Sequence, residues 1–471
     1  MSEDLTFAGV IGQAAAVRDG RTTAAKLLDD TLARIGALDP RFNAFSLVMA
    51  DRARAEAADR DATPAAERGP LHGVPIAVKE EIDVEGAVTT FGGRGNSTPA
   101  AADSEMVRRL RQAGAVIVGK TCMPEFGQWP YTESLATGLT RNPYDAERTP
   151  GGSSGGSAVA VASGMVAAAL GGDGGGSIRV PASCCHLFGL KPSRGRVSSA
   201  PMEHLWYSLG TAGPLTRTVL DSAVIYDVIS GSMPGDRFTA PPLTTSLADA
   251  AGKDPGRLRI GWSTKTVTPG IKPDKEVVAA VERTAMCLSE LGHDVSPIDV
   301  HYPDPTLPFL ALWFAGVRAE AFAVEHFERL ERRTRQTVRL GGWVRESVIE
   351  RALRAGDKVA TKANRIFDRV DVLLTPTIAP LPGRLPRLGR GGTPAALVRT
   401  LPMVTYTALW NMTGNPAASV PAGLSRGGLP IGVQLVGRLY DEPTLVSLAA
   451  QLEAATGWAE TRPGEVSPGD G

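Results

Sequence analysis

The sequence predicts an α/β protein in which a largely parallel sheet carries helices on both faces. Two observations lead there: short apolar runs of strand length recur along the chain, and amphipathic or capped helical stretches separate them. A third is length, because 471 residues are enough to bury a substantial core. Residues 1–65 read as helical, rich in Ala, Arg, Leu and Asp, with an amphipathic stretch at Ala24–Leu38. Val74–Val78 reads as a strand ending at Lys79. Asp103–Ala113 reads as a helix capped by Asp103 or Ser104 and stopped by Gly114, with the buried strand Ala115–Val118 after it. The pattern repeats at Arg257–Trp262 (strand), Asp274–Leu291 (helix, followed by Gly292) and Asp294–Ile298 (strand). Val372–Thr375, Ala417–Val420 and Ile431–Val436 read as further strands, and Glu442–Ala455 as the last helix. Met233–Pro255 and Leu381–Pro394, rich in Pro, Gly and small polar residues, read as long surface loops. The tail after Arg462 reads as disordered.

Composition removes several function classes. Lys plus Arg is 50 and Asp plus Glu is 50, so the net charge is zero, and no clustered basic stretch offers a phosphate backbone its contacts. Nucleic acid is therefore not expected as a partner. The longest apolar run, Ala158–Leu170, is broken by Ser163 and Gly164 and falls short of the ~20 residues of a membrane span. The first residues, MSEDLTFAGV, lack a positive region followed by an apolar core, so no signal peptide is expected. The four cysteines (Cys122, Cys184, Cys185, Cys287) show no CxxC spacing. That argues against a disulfide framework or a zinc site and suits a reducing, cytoplasmic setting.

The densest chemistry lies between Gly151 and Pro181, where two glycine–serine clusters are joined by an apolar segment of small residues. Ser153 and Ser177 sit 24 positions apart (177 − 153) in the two clusters. A serine flanked by glycine amides is a candidate nucleophile with oxyanion donors beside it. The letters of GxSxG occur in GGSSG (151–155) and those of GxxxxGK[ST] in GAVIVGKT (114–121), but the first does not follow a strand and the second runs through the strand Ala115–Val118, so neither has the context of a nucleophile elbow or a phosphate loop. The IRVP that follows GGDGGGS is not expected to open a helix, so a dinucleotide fingerprint fails on context. A Ser-His-Asp triad would need one of His72, His186, His204, His293, His301 or His326. His186 reads as a packed or hydrogen-bonded histidine and not as a base. Lys79, at the end of an apolar strand, is open to two readings: a partly buried base, or a lysine reaching solvent along its own stem. Taken alone, the second is the commoner. Asp173 and Arg179 flank Ser177 closely enough to be a structural ion pair or substrate contacts, with the structural role favoured.

These residues together resemble the amidase signature family of serine hydrolases. The run TRNPYDAERTPGGSSGGSAVAVASGMVAAALGGDGGGSIRVPASCCHLFGLKPSRGRVS is similar to the family signature almost throughout, and LHGVPIAVKEEIDV to its lysine segment. VGKTCMPEF, GTAGPLTRTV and NMTGNPAASVPAG…GLPIGVQLVG also have counterparts, so the resemblance spans about residues 70–440. It implies one large α/β/α domain around a mixed, twisted sheet of about ten or more strands. Residues 1–65 would be a helical segment packed on a domain of residues 66–460, with 461–471 as a tail. It implies a Ser–cisSer–Lys triad, which selects the base reading of Lys79. Ser177 would attack the amide carbonyl, and Ser153, after a cis peptide bond, would bridge Ser177 to Lys79. The amides of Gly174, Gly175, Gly176 and Ser177 would form the oxyanion hole, and Ser154 would hydrogen-bond within the relay. No metal or organic cofactor is needed.

Several positions depart from the family's usual pattern: Glu80 for Asp, Cys122 for Asn, Gly172 and Gly174 for Thr, and His186 for Gly. No triad member is among them. The function implied is hydrolysis of a small-molecule carboxamide to a carboxylate plus ammonia or an amine. Gly127, Trp129, Tyr131 and Trp206 are candidates for the substrate pocket, with Trp313, Phe314 and Trp343 as further aromatics. The alternatives are the A subunit of a tRNA-dependent amidotransferase and a catalytically silent scaffold on the same fold. The resemblance is also compatible with a homodimer.

Overall fold

The computed structural model describes residues 4–389 and 391–464. Its strands are β1 (Phe45–Val48), β2 (Pro75–Lys79), β3 (Val116–Thr121), β4 (Glu133–Ser134), β5 (Gly138–Leu139), β6 (Ala168–Asp173), β7 (Phe188–Lys191), β8 (Thr211–Thr216), β9 (Arg259–Trp262), β10 (Asp294–Pro297), β11 (Val372–Pro376), β12 (Ala417–Leu424) and β13 (Pro430–Val436). β4 and β5 form a separate ribbon, and the other eleven build one sheet in the order β1-β3-β2-β6-β8-β7-β12-β13-β11-β9-β10.

The sheet is mixed. Parallel pairs occur at β2–β3, β2–β6, β9–β10 and β9–β11. The antiparallel pairs are β1–β3, β6–β8, β7–β8, β7–β12, β12–β13 and β11–β13. The expectation of a largely parallel sheet holds only towards its two flanks, because it assumed a helical crossover after every strand. β12 returns as β13 through a tight turn closed by Ser425 N–H donating to the Leu429 carbonyl, and a turn that short can only join antiparallel strands.

Helices cover both faces over two apolar cores. One core takes Gly155–Ala162, Thr306–Ala323 and Glu346–Asn364; the other takes Glu105–Gln112, Val219–Ile229, Lys275–Glu290 and Glu442–Thr456. Ser104 caps Glu105–Gln112, its hydroxyl accepting from Val107 N–H, as the sequence suggests. The region read as wholly helical contains β1, which pairs with β3 at the sheet edge. The loop read at Met233–Pro255 contains a short helix, Leu247–Ala251, and the one read at Leu381–Pro394 runs into helix Thr393–Val404. IRVP does enter a short helix, Arg179–Cys184. Most of the tail read as disordered, from residue 465 on, lies outside the described residues. Among the described residues no helix is long and apolar enough to cross a membrane.

Candidate active site

Strand alternation aims Lys79. In β2, Ile76 and Val78 pack into one core and Ala77 into the other. A period of two places Lys79 with Ala77, on the face covered by helix Gly155–Ala162. Its side chain does not reach solvent: the residue is 1% exposed. The Nζ donates to Ser153 Oγ at 2.8 Å and lies 3.0 Å from Glu81 Oε1.

Ser153 follows a cis Gly152–Ser153 peptide, immediately before helix Gly155–Ala162. The glycines here allow close backbone approach. A Cβ on Gly152 would lie 2.7 Å from Tyr131 N, and one on Gly156 would lie 2.5 Å from Cys122 N and the Ala44 carbonyl oxygen. Only glycine lets this helix start so close to the sheet. Ser154 is not bonded into the Lys79–Ser153 contact. Its hydroxyl exchanges hydrogen bonds with the Gly172 backbone of β6, and its N–H donates to the Ser177 carbonyl.

Ser177 stands on the loop between β6 and helix Arg179–Cys184. Asp173, the last residue of β6, holds that loop from inside. Its Oδ1 accepts from Gly176 N–H at 2.7 Å, and its Oδ2 accepts from Ile178 N–H at 3.1 Å. Arg179 binds the same carboxylate through Nε (3.0 Å) and Nη2 (2.9 Å). Asn411 Nδ2 adds a bond at 2.8 Å, while Arg179 Nη1 continues to Gln434 Oε1 at 2.8 Å. Burial alone would push the Asp173 carboxyl up, but the Arg179 charge and the Arg179 and Asn411 hydrogen bonds outweigh it and hold the group well below the usual carboxylate range. Gly176 takes φ +128°, a conformation that favours glycine. Because its N–H is engaged by Asp173, Gly176 drops out of the expected oxyanion set, which leaves Gly174, Gly175 and Ser177.

Two cavities meet at Ser177. The larger, about 310 Å³, is lined by Trp129, Pro130, Trp206, Phe309, Trp313, Val404 and other uncharged residues, and among the described residues no charged side chain contributes to it. The smaller, about 30 Å³, is lined by Lys79, Glu81, Ser153, Asp173, Gly174, Ser177, Trp206 and Glu320 among others. Gly127, Ser177 and Trp206 border both. Among the described residues, no three His, Cys, Asp or Glu side chains are grouped so as to hold a metal ion.

The structure therefore brings Lys79, Ser153 and Ser177 to one cavity, and Gly127, Trp129 and Trp206 to the pocket beside it. Tyr131 is corrected: it is 1% exposed, its hydroxyl donates to the Arg399 carbonyl, and it packs in the core instead of lining the pocket. Trp313 does line the pocket, edge-on to Trp129 at 5.6 Å, whereas Trp343 is exposed and packs on Phe314 away from it. His186 takes φ +57° where the family usually has glycine. It is buried against Tyr144. Burial, then the nearby Arg217 charge, pushes it down to about 4, so it is a packed histidine and not a base. Glu80 turns away from Lys79: it accepts from Ser46 and Thr90 and lies 3.5 Å from Lys120. Sequence reading missed Glu81, Asn411 and Glu320. Glu81 stands two residues after Lys79 and Asn411 opens the NMTGNP motif, but nothing local marks Glu320.

The family model described as Amidase matches residues 26–446. A protein of Mycobacterium tuberculosis (strain ATCC 25618 / H37Rv), provisionally named amidase AmiB2, is 47% identical over 464 residues, covering 98% of each chain. The 6-aminohexanoate-cyclic-dimer hydrolase of Paenarthrobacter ureafaciens is 35% identical, covering 97% of this chain and 96% of the relative. A solved structure of 6-aminohexanoate cyclic dimer hydrolase complexed with substrate matches with a TM-score of 0.91 at 32% identity, covering 98% of this chain and 99% of the other.

Proposed function

The chain belongs to the amidase signature family of amide hydrolases, and from that premise we propose that it cleaves carboxamides with an uncharged, apolar acyl group through a seryl acyl-enzyme. The observation that carries this reading is the contact of Lys79 Nζ with Ser153 Oγ at 2.8 Å, inside the cavity that Ser177 also lines. Lys79 in its amine form takes the Ser177 proton through Ser153 as Ser177 Oγ attacks the carbonyl carbon. The developing oxyanion is held by the amides of Gly174, Gly175 and Ser177. Glu81 stabilises the ammonium formed on Lys79. Collapse of the tetrahedral intermediate breaks the C–N bond, and the proton returns through Ser153 to the leaving nitrogen. Water then cleaves the acyl-enzyme by the same relay.

The two cavities divide the substrate. The leaving nitrogen must receive its proton from Ser153, which lines the smaller cavity and not the larger one. The acyl group then occupies the larger, and a pocket free of charged side chains favours alkyl and aryl groups. It offers no ionic partner to the α-amino and carboxylate groups of glutamine, which weighs against the amidotransferase reading. A panel of amides tests this by amine release, with Ser177→Ala alongside. Alkyl and aryl amides should be turned over at least tenfold better than amides of charged acids, and by wild type alone. Equal use of both classes would refute the acyl assignment, and undiminished turnover by Ser177→Ala would refute the nucleophile.

A further inference from the structure

We infer that Glu320, facing Glu81 and Lys79 across the smaller cavity, forms a subsite for the amine released by the reaction, ammonia or a small primary amine. The inference rests on the division of acyl and leaving groups proposed above. Helix Thr306–Ala323 is mainly apolar, and Glu320 is the acidic residue it contributes to this cavity. Glu320 Oε1 accepts from Trp206 Nε1 at 2.8 Å. The residue is half-buried as a whole, yet its Oε2 is sealed from solvent and has no hydrogen-bond partner among the described residues. A buried carboxyl oxygen in that state has unused capacity for a donor or acceptor.

Three glycines make room for this assembly. A Cβ on Gly172 would lie 2.1 Å from Glu81 Oε1. One on Gly174 would lie 2.9 Å from Trp206 Cε3, and one on Gly316 would lie 2.6 Å from Trp206 Cδ1. Gly172 and Gly174 are two of the positions at which the chain departs from threonine. A side chain at 172 would displace Glu81, and one at 174 would displace the indole that holds Glu320. The departures and the two carboxyl groups are parts of one arrangement.

The cavity of about 30 Å³ has room for a group the size of one water or amine nitrogen. The charged groups facing Glu320 are Lys79, the last residue of β2, and Glu81, two residues after it; on its own helix, Arg318 donates instead to the Val338 carbonyl. Burial pushes the Glu320 carboxyl well above the usual range and the Glu81 charge adds to this, against the Trp206 hydrogen bond and the Lys79 charge. The shift favours the protonated form, and in that form Glu320 offers its proton to the amine. The released amine, already given one proton through Ser153, accepts the Glu320 proton on its lone pair. An ammonium–carboxylate pair results, and the carboxylate regains a proton from water once the ammonium departs. An ammonium has no lone pair with which to attack the acyl-enzyme, so the step favours hydrolysis over resynthesis of the amide.

The test is inhibition of turnover by ammonium, methylammonium and tetramethylammonium chlorides at matched ionic strength, with an apolar primary amide as substrate. In the wild type, ammonium and methylammonium should inhibit at least tenfold more strongly than tetramethylammonium, which has no N–H to offer. Glu320→Gln keeps an acceptor for Trp206 but loses the acid, and should raise the ammonium inhibition constant at least tenfold. Labelling of Ser177 by a serine-directed phosphonate should still occur in Glu320→Gln, as the check that the site is assembled. Tetramethylammonium inhibiting as strongly as ammonium would overturn the inference without any variant, and so would ammonium inhibiting Glu320→Gln unchanged. Failure of wild-type Ser177 to take the phosphonate would instead remove the reading on which the inference stands.

Discussion

The two sides of Ser177 are built from opposite materials. On one side, Trp129, Phe309, Trp313 and Val404 enclose a pocket that no charged residue lines among the described residues. On the other, Lys79, Glu81, Asp173 and Glu320 crowd a space about a tenth as large. The difference separates two tasks that one site must perform. Binding an acyl group needs apolar area, which is non-directional and scales with surface. Moving a proton needs few groups held at fixed distances in a medium of low polarity. Trp206 keeps the two apart: its ring borders both cavities, and its N–H is tied to Glu320.

The largest effects should come from the polar side. Ser177→Ala or Lys79→Ala should lower amine release by roughly a thousandfold or more, because members of a catalytic unit fail together. Turnover within tenfold of wild type in either variant would mean that the polar side does not carry the chemistry. Asp173→Asn should come next. It leaves the Arg179 guanidinium buried without its counter-charge, a loss of about 3–5 kcal/mol in unfolding free energy by denaturant titration, and it loosens the loop that carries Ser177. An unchanged unfolding midpoint would show that the loop does not depend on this pair.

On the apolar side, Val404→Asp places a charge in the uncharged pocket. It should cut kcat/KM for alkyl amides by roughly 10–100-fold through unpaired burial, while a small phosphonate still labels Ser177. Equal loss of both would mean that the two sides are not separable. The smallest effect concerns Glu125, two residues before Gly127, which borders both cavities. Burial pushes its carboxyl up to about 7, with the Glu331 charge adding. A raised carboxyl stabilises the fold below its unfolded value near 4.5 and loses that contribution as pH rises through about 7. Glu125→Gln should therefore gain thermal stability over wild type between pH 5 and pH 8.5, by at most about 3 kcal/mol. A pH-independent difference would contradict this.

Much of this contrast was legible in the chain, and unevenly. A strand ending at Lys79 could be read from PIAVK, because an apolar run of that length beside turn residues has few other outcomes. β6 and β8 could not: their sequences AALGGD and TAGPLT hold Gly and Pro, which disfavour strands unless neighbours impose the geometry. Serines within glycine clusters pointed to the polar side. Glu320 did not declare itself, and the NMTGNP motif did not reveal what Asn411 holds, because their partners lie over a hundred positions away: Trp206 for the first and Asp173 for the second. Tyr131 failed as a pocket residue for a related reason, since only the fold decides which side of a segment faces the cavity.

Mass-spectrometric mapping of the adduct left by a serine-directed phosphonate tests the central claim most directly, with wild type, Ser177→Ala and Lys79→Ala treated in parallel. The account predicts one adduct on Ser177 in the wild type, none in Ser177→Ala, and labelling slowed at least a hundredfold in Lys79→Ala. An adduct on any other residue, or a Lys79→Ala variant that labels as fast as the wild type, would contradict it.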